Sequence, residues 1–161
     1  MATKPEIIIG FDPGYADTGW GIIKKENSKF YYIACGSIRT SKKTPWPERL
    51  LTLWQETEKI ITTYQPDKAG IESLFFNTNQ TTAMKVAEAR GVLVTLCAQH
   101  QLQPIELTPA EIKLAVTGNG RADKQQIGKM VCLLLSLTTL PQPDDATDAL
   151  ACALAADRSH I

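Results

Sequence analysis

The chain has 161 residues, 43 % of them hydrophobic and 21 % charged, and Lys plus Arg equals Asp plus Glu at 17 each. That length and apolar share predict one globular domain over 1–161 with a substantial core, and the zero net charge excludes a uniformly basic protein that coats nucleic acid while allowing separate acidic and basic faces. Cys35, Cys97, Cys132 and Cys152 are widely spaced with no C-x-x-C pair, which argues against a zinc or redox motif; the start is too short in apolar residues for a secretory signal and no run reaches a membrane span, so a cytoplasmic protein is expected.

EIIIGFD (6–12) is a short apolar run that stops at D-P-G and predicts a buried strand ending in a turn. TGWGIIKK (18–25) and KFYYIACGSIRT (29–40) complete an antiparallel meander of three strands. The 47–64 segment carries Leu50, Leu51, Leu53, Trp54, Ile60 and Ile61 at helical spacing. A short strand to about Glu72 follows, and 81–100 forms a second long helix with so few charges that it is expected to pack on both sides. LQPIELT (102–108) is a fifth strand, and T-P-A-E (108–111) is a capping signature for the next helix. G-N-G-R-A-D (118–123) breaks that pattern, Asp123 caps the segment beginning K-Q-Q-I-G, and the acidic stretch D-D-A-T-D (144–148) opens a last helix. The elements make one mixed sheet flanked by helices.

Three acids ahead of a run of small apolar residues need a physical reason, because like charges held close repel and are costly to desolvate. Asp148 shares a helical face with either Asp144 or Asp145. On local evidence alone helix capping is the preferred reason for such acids, at about 0.3 to 1 kcal/mol each. Two further carboxylates weigh against a purely local role: Asp12 and Glu72 each close an apolar strand, where a hydrophobic residue is the norm. Strand ends in such sheets converge on one crevice. With histidine only at 100 and 160, imidazole chemistry has little support, and carboxylate oxygens suit Mg²⁺ or Mn²⁺, two of which clamp a phosphodiester in many hydrolases.

G-F-D-P-G-x-x-x-T-G-W-G (10–21), P-D-x-x-x-I-E-x-x-F-F (66–76), A-R-G (89–91), K-x-x-x-x-G-x-G-x-A-x-K (113–124) and D-A-x-D-A-L-A (145–151) occur in order along nearly the whole chain. Together they resemble the RuvC family of bacterial Holliday-junction endonucleases, within the ribonuclease H-like superfamily. The resemblance implies an α/β ribonuclease H-like fold, a five-stranded mixed sheet of three antiparallel strands plus two parallel ones, flanked by helices. It implies that Asp12, Glu72, Asp145 and Asp148 are catalytic and hold two Mg²⁺ ions, with Mn²⁺ substituting, and it selects Asp145 over Asp144. Asp144 is an added acid relative to the family pattern. Lys113 and Lys124, with Arg121 beside them, are implied to contact the DNA backbone, where a cation offsets a phosphate brought close to carboxylates. Phe75, with Phe76 adjacent, is implied to stack on unpaired bases.

The implied activity is paired hydrolysis of four-way junctions in recombination and repair, leaving 5′ phosphates and 3′ hydroxyls. A homodimer with two active sites matches a two-fold substrate; the apolar helix 81–100 fits either its interface or burial within one subunit, and the resemblance implies the RuvA and RuvB branch-migration proteins as partners. Between residues 24 and 49, seven cations against Glu26 and Glu48 offer a basic stretch for phosphate. An actin-like ATPase shares the D-P-G hairpin, but 161 residues leave no room for its second lobe. A nuclease for RNA:DNA hybrids would carry its second acid within a helix, and a branch-binding protein that does not cut would lack an acid.

Overall fold

A computed structural model describes residues 4–73 and 80–158. The strands are β1 (Glu6–Asp12), β2 (Asp17–Glu26), β3 (Lys29–Arg39), β4 (Lys68–Glu72) and β5 (Pro104–Leu107); the helices are α1 (Trp46–Tyr64), α2 (Gln80–Gln99), α3 (Pro109–Thr117), α4 (Lys124–Leu135) and α5 (Asp144–Arg158). They form one sheet in the order β3-β2-β1-β4-β5. β1–β2 and β2–β3 are antiparallel, β1–β4 and β4–β5 parallel, so the expected three-plus-two sheet is present.

Local sequence chemistry sets the helix starts. The Thr108 hydroxyl accepts from the Glu111 N–H while the Glu111 carboxylate accepts from the Thr108 N–H, and Asp123 and Gln126 repeat this capping box on α4. Gly118 ends α3 in the left-handed region at φ 77°, where a side chain is strained.

The sheet divides the core in two. One layer joins β1 and β2 to α3, α4 and α5 through Ile8, Ile23, Val131, Leu150 and Leu154. The other joins the opposite sheet face to α1 and α2 through Phe11, Ile22, Leu53, Leu93 and Leu96. α5 crosses the sheet at unusually short range. A Cβ placed on Gly10 would lie 2.1 Å from the Ala149 carbonyl oxygen, and one on Gly19 would lie 2.0 Å from that of Asp145. Glycines below and alanines above thus bring the helix backbone onto β1 and β2. The small residues of α5 are the reason its N-terminal acids reach the end of β1.

α2 corrects an expectation. It packs on one side only: Ala83, Ala89, Leu93, Leu96 and Cys97 face the core, whereas Met84 is 66 % exposed and a Cβ on Gly91 would meet nothing within 4 Å. The helix buried nearly all round is α5, whose residues 149–156 are at most 1 % exposed. Cys97 and Cys152 are buried free thiols, and Cys35 and Cys132 are half-buried and also free. Burial pushes the Cys97 thiol up to about 11. Among the described residues no helix is long and apolar enough to cross a membrane.

Candidate active site

Asp12 is the last residue of β1 and Glu72 the last of β4, neighbouring parallel strands that end on the same side of the sheet. Asp145 and Asp148 enter from above, in the first turns of α5. One carboxylate oxygen from each of Asp12, Asp145 and Asp148 lies within 4.8 Å of the other two. Glu72 falls outside that trio but hydrogen-bonds the Asp12 carboxyl. An open cavity of about 280 Å³ joins Asp12, Glu72 and Asp148 to Lys113 and Lys124, with Ile112, Ile127 and Ala151 as its apolar wall.

The electrostatics of this group are strained in one direction. Burial, then the charge of Glu72, then those of Asp148 and Asp145 push the Asp12 carboxyl up to about 9. Glu72 is raised by burial and by Asp148, against the pull of Lys113. Asp145 is raised by burial and by Asp17, and Asp148 by burial, with Lys124 opposing in both cases. The protein's own cations therefore do not neutralise the four acids. Hard oxygen donors at this spacing fit Mg²⁺ or Mn²⁺, and no histidine or cysteine joins the trio among the described residues.

Two lysines, Lys113 and Lys124, line the cavity. Lys124, the first residue of α4, sets its ammonium 3.2 Å from Asp144 Oδ2 and 3.7 Å from Asp148 Oδ2. Asp144 thus faces Lys124, and Asp145 faces Asp12. Lys113 on α3 lines the same cavity and acts on Glu72. Arg121 is exposed in the turn between α3 and α4 and does not line the cavity. Phe75 and Phe76 lie outside the described residues.

The basic stretch 24–49 is not one surface. Lys25 reaches Asp157 at 2.9 Å at the end of the sheet remote from the acids, and Lys68 joins the same carboxylate at 3.5 Å. Arg39 pairs with Asp17 at 3.2 Å at the site end, where both act on Asp145. Sequence reasoning missed the role of Arg90 in the A-R-G motif: its guanidinium lies 2.6 Å from Glu106 and ties α2 to β5.

The chain matches the family described as "Crossover junction endodeoxyribonuclease RuvC" over residues 8–156. The protein of that name from Alkaliphilus metalliredigens is 49 % identical over 148 residues, spanning 92 % of this chain and 90 % of that one. Its counterpart from Rubrobacter xylanophilus is 42 % identical over 155 residues, spanning 96 % and 87 %. A solved structure, T. thermophilus RuvC in complex with Holliday junction substrate, superposes with a TM-score of 0.89 at 26 % identity, covering 93 % of this chain and 92 % of that one.

Proposed function

The chain belongs to the RuvC family of crossover junction endodeoxyribonucleases, and we propose that it resolves four-way DNA junctions by hydrolysing one phosphodiester in each of two symmetry-related strands. The observation that carries this reading is the convergence of Asp12, Asp145 and Asp148 from two separate elements to within 4.8 Å, with Glu72 on the cavity wall.

Asp12, Glu72, Asp145 and Asp148 would hold two Mg²⁺ ions, for which Mn²⁺ would substitute. Bound divalent ions there supply Lewis acidity to the scissile phosphate and a water nucleophile at neutral pH. The chain's own residues do the rest. Lys113 and Lys124 meet the phosphate oxygens and offset charge that the carboxylates alone would repel. Asp144 orients Lys124 until DNA arrives, and Arg121 and Phe75 contact the strand further out. The apolar wall of Ile112 and Ile127 limits water at the reacting phosphate. Products carry 5′ phosphates and 3′ hydroxyls.

The functional unit is a single nuclease domain over 1–161 acting as a homodimer in the cytoplasm, because two symmetric cuts need two sites. The open outer face of α2, at Met84 and Gly91, supports an interface there. RuvA and RuvB would deliver the junction in recombination and repair.

The test is a synthetic four-way junction labelled on each strand, incubated with Mg²⁺. Paired nicks at symmetric positions, sealed by DNA ligase, are expected, with a linear duplex of the same sequence left intact. Equal cutting of the duplex, or nicks that ligase does not seal, would overturn the proposal.

A further inference from the structure

A second group of cations sits at the acidic end of the sheet on the face opposite Lys113 and Lys124. Tyr15 stacks on Trp46 with ring centroids 5.6 Å apart and planes 14° from parallel. The Arg49 guanidinium lies 4.5 Å from the Tyr15 ring and 4.8 Å from that of Trp46. Lys85 Nζ stands 4.8 Å from Trp46 and 5.8 Å from Tyr15, and Lys42 Nζ stands 6.0 Å from Tyr15. These distances fall within the range of cation–π attraction.

Among the described residues none of these three cations has a carboxylate within ion-pair distance, whereas Lys24, Lys25, Lys68, Arg39 and Arg90 each have one. Arg49 is 3 % exposed, and its hydrogen bonds go to the neutral Tyr15 carbonyl and Thr40 hydroxyl. Glu88, one turn along α2 from Lys85, accepts the Trp46 indole N–H. Aromatic faces therefore order the ammonium groups without neutralising them, so their charge stays available to an anion. Burial of Arg49 fixes the scaffold, joining the turn after β1, Thr40 and α1.

Position gives the anion. Tyr15 follows Asp12 by three residues, so their Cα atoms are no more than about 11 Å apart. A strand whose phosphate sits over the acids therefore has neighbouring phosphates within reach of this group. Resting on the junction-cutting reading, we propose that Tyr15, Lys42, Trp46, Arg49 and Lys85 form a second phosphate grip. It binds the sugar–phosphate backbone of the junction on the α1–α2 face, with Lys42 and Lys85 meeting the phosphates and the rings holding them in place.

The test is junction affinity by fluorescence anisotropy in EDTA over a salt series, comparing wild type with Lys42→Glu/Lys85→Glu and with the charge-matched control Lys29→Glu/Lys59→Glu. The grip variant is expected to bind at least tenfold more weakly, and the slope of log affinity against log salt falls by nearly two, about 0.9 per lost phosphate contact. The control, altered on β3 and α1 away from the group, is expected to stay within threefold of wild type. If charge reversal disturbs folding by circular dichroism, Lys42→Gln/Lys85→Gln replaces it, with at least a fivefold loss expected. Equal loss in grip variant and control, or no loss in the grip variant, would overturn the grip while leaving the function standing. A wild-type protein that does not bind the junction would overturn both.

Discussion

α2 and the 149–156 stretch of α5 are alike in sequence and opposite in fate. Both are rich in small apolar residues and poor in charge, yet α5 is enclosed between the sheet and α3 and α4, while α2 presents an outer face to solvent. The difference lies in what stands opposite each helix. Under α5 the strands carry Gly10, Gly19, Gly21 and Gly70, so small residues meet small residues and backbone approaches backbone. Under α2 the contact runs through Leu93 and Leu96 at ordinary side-chain distance. A run of small residues therefore encodes a close approach, and only the partner surface tells whether that approach is made within the chain.

The largest break in this comparison comes from Gly10→Ala. The new methyl would stand 2.1 Å from the Ala149 carbonyl oxygen and 2.4 Å from the Ala153 nitrogen, both backbone atoms. α5 must lift, so urea unfolding should report a loss of about 3 kcal/mol or more, and cleavage should fall with it as Asp145 and Asp148 leave Asp12. A variant with wild-type stability would mean that α5 does not bear on β1.

A smaller effect follows from the acids that α5 delivers. Burial and the neighbouring acids push the Asp12 carboxyl from an ordinary 3.8 up to about 9 in the folded chain. The folded chain then keeps a proton that the unfolded chain gives up, so with EDTA present the Asp12 contribution to stability is complete below about pH 4 and is lost as pH rises toward 9. Mg²⁺ or Mn²⁺ competes with that proton, so the rise in melting temperature on adding either ion should grow with pH. Calorimetry between pH 5 and 9 with and without Mn²⁺ checks the sign; a metal-induced shift that shrinks with pH would contradict it.

Gly91→Ala on α2 gives the smallest change and the opposite sign. Its methyl enters open space and replaces a flexible residue inside a helix, a gain of about 0.5 to 1 kcal/mol in the isolated subunit. If a second copy packs on this face, the same methyl weakens the dimer, and sedimentation at falling concentration should show dissociation earlier than in wild type.

Local chemistry was legible in the sequence. Strand periodicity, the capping signature at Thr108 and the helix start at Asp123 depend on neighbours a few residues apart and appear where they were expected. Asp12 and Glu72 were conspicuous because an acid closing an apolar strand needs an explanation, and the structure does bring both to one cavity. What could not be read depended on distant pairing. The packing of α2 was misjudged because composition does not reveal the opposing surface, and the basic stretch split because β2 and β3 carry its residues to opposite ends of the sheet. The Tyr15–Trp46 stack has no spacing signature at all, since it joins a turn to the first residue of a helix 31 positions later.

Mutation of one acid from each element tests the central claim most directly. Asp12→Asn and Asp145→Asn should each lower four-way junction cleavage in Mg²⁺ by at least a thousandfold while junction affinity in EDTA stays equal to or tighter than wild type, because the lost charge repelled phosphate. Either variant cutting at near wild-type rates would contradict the account.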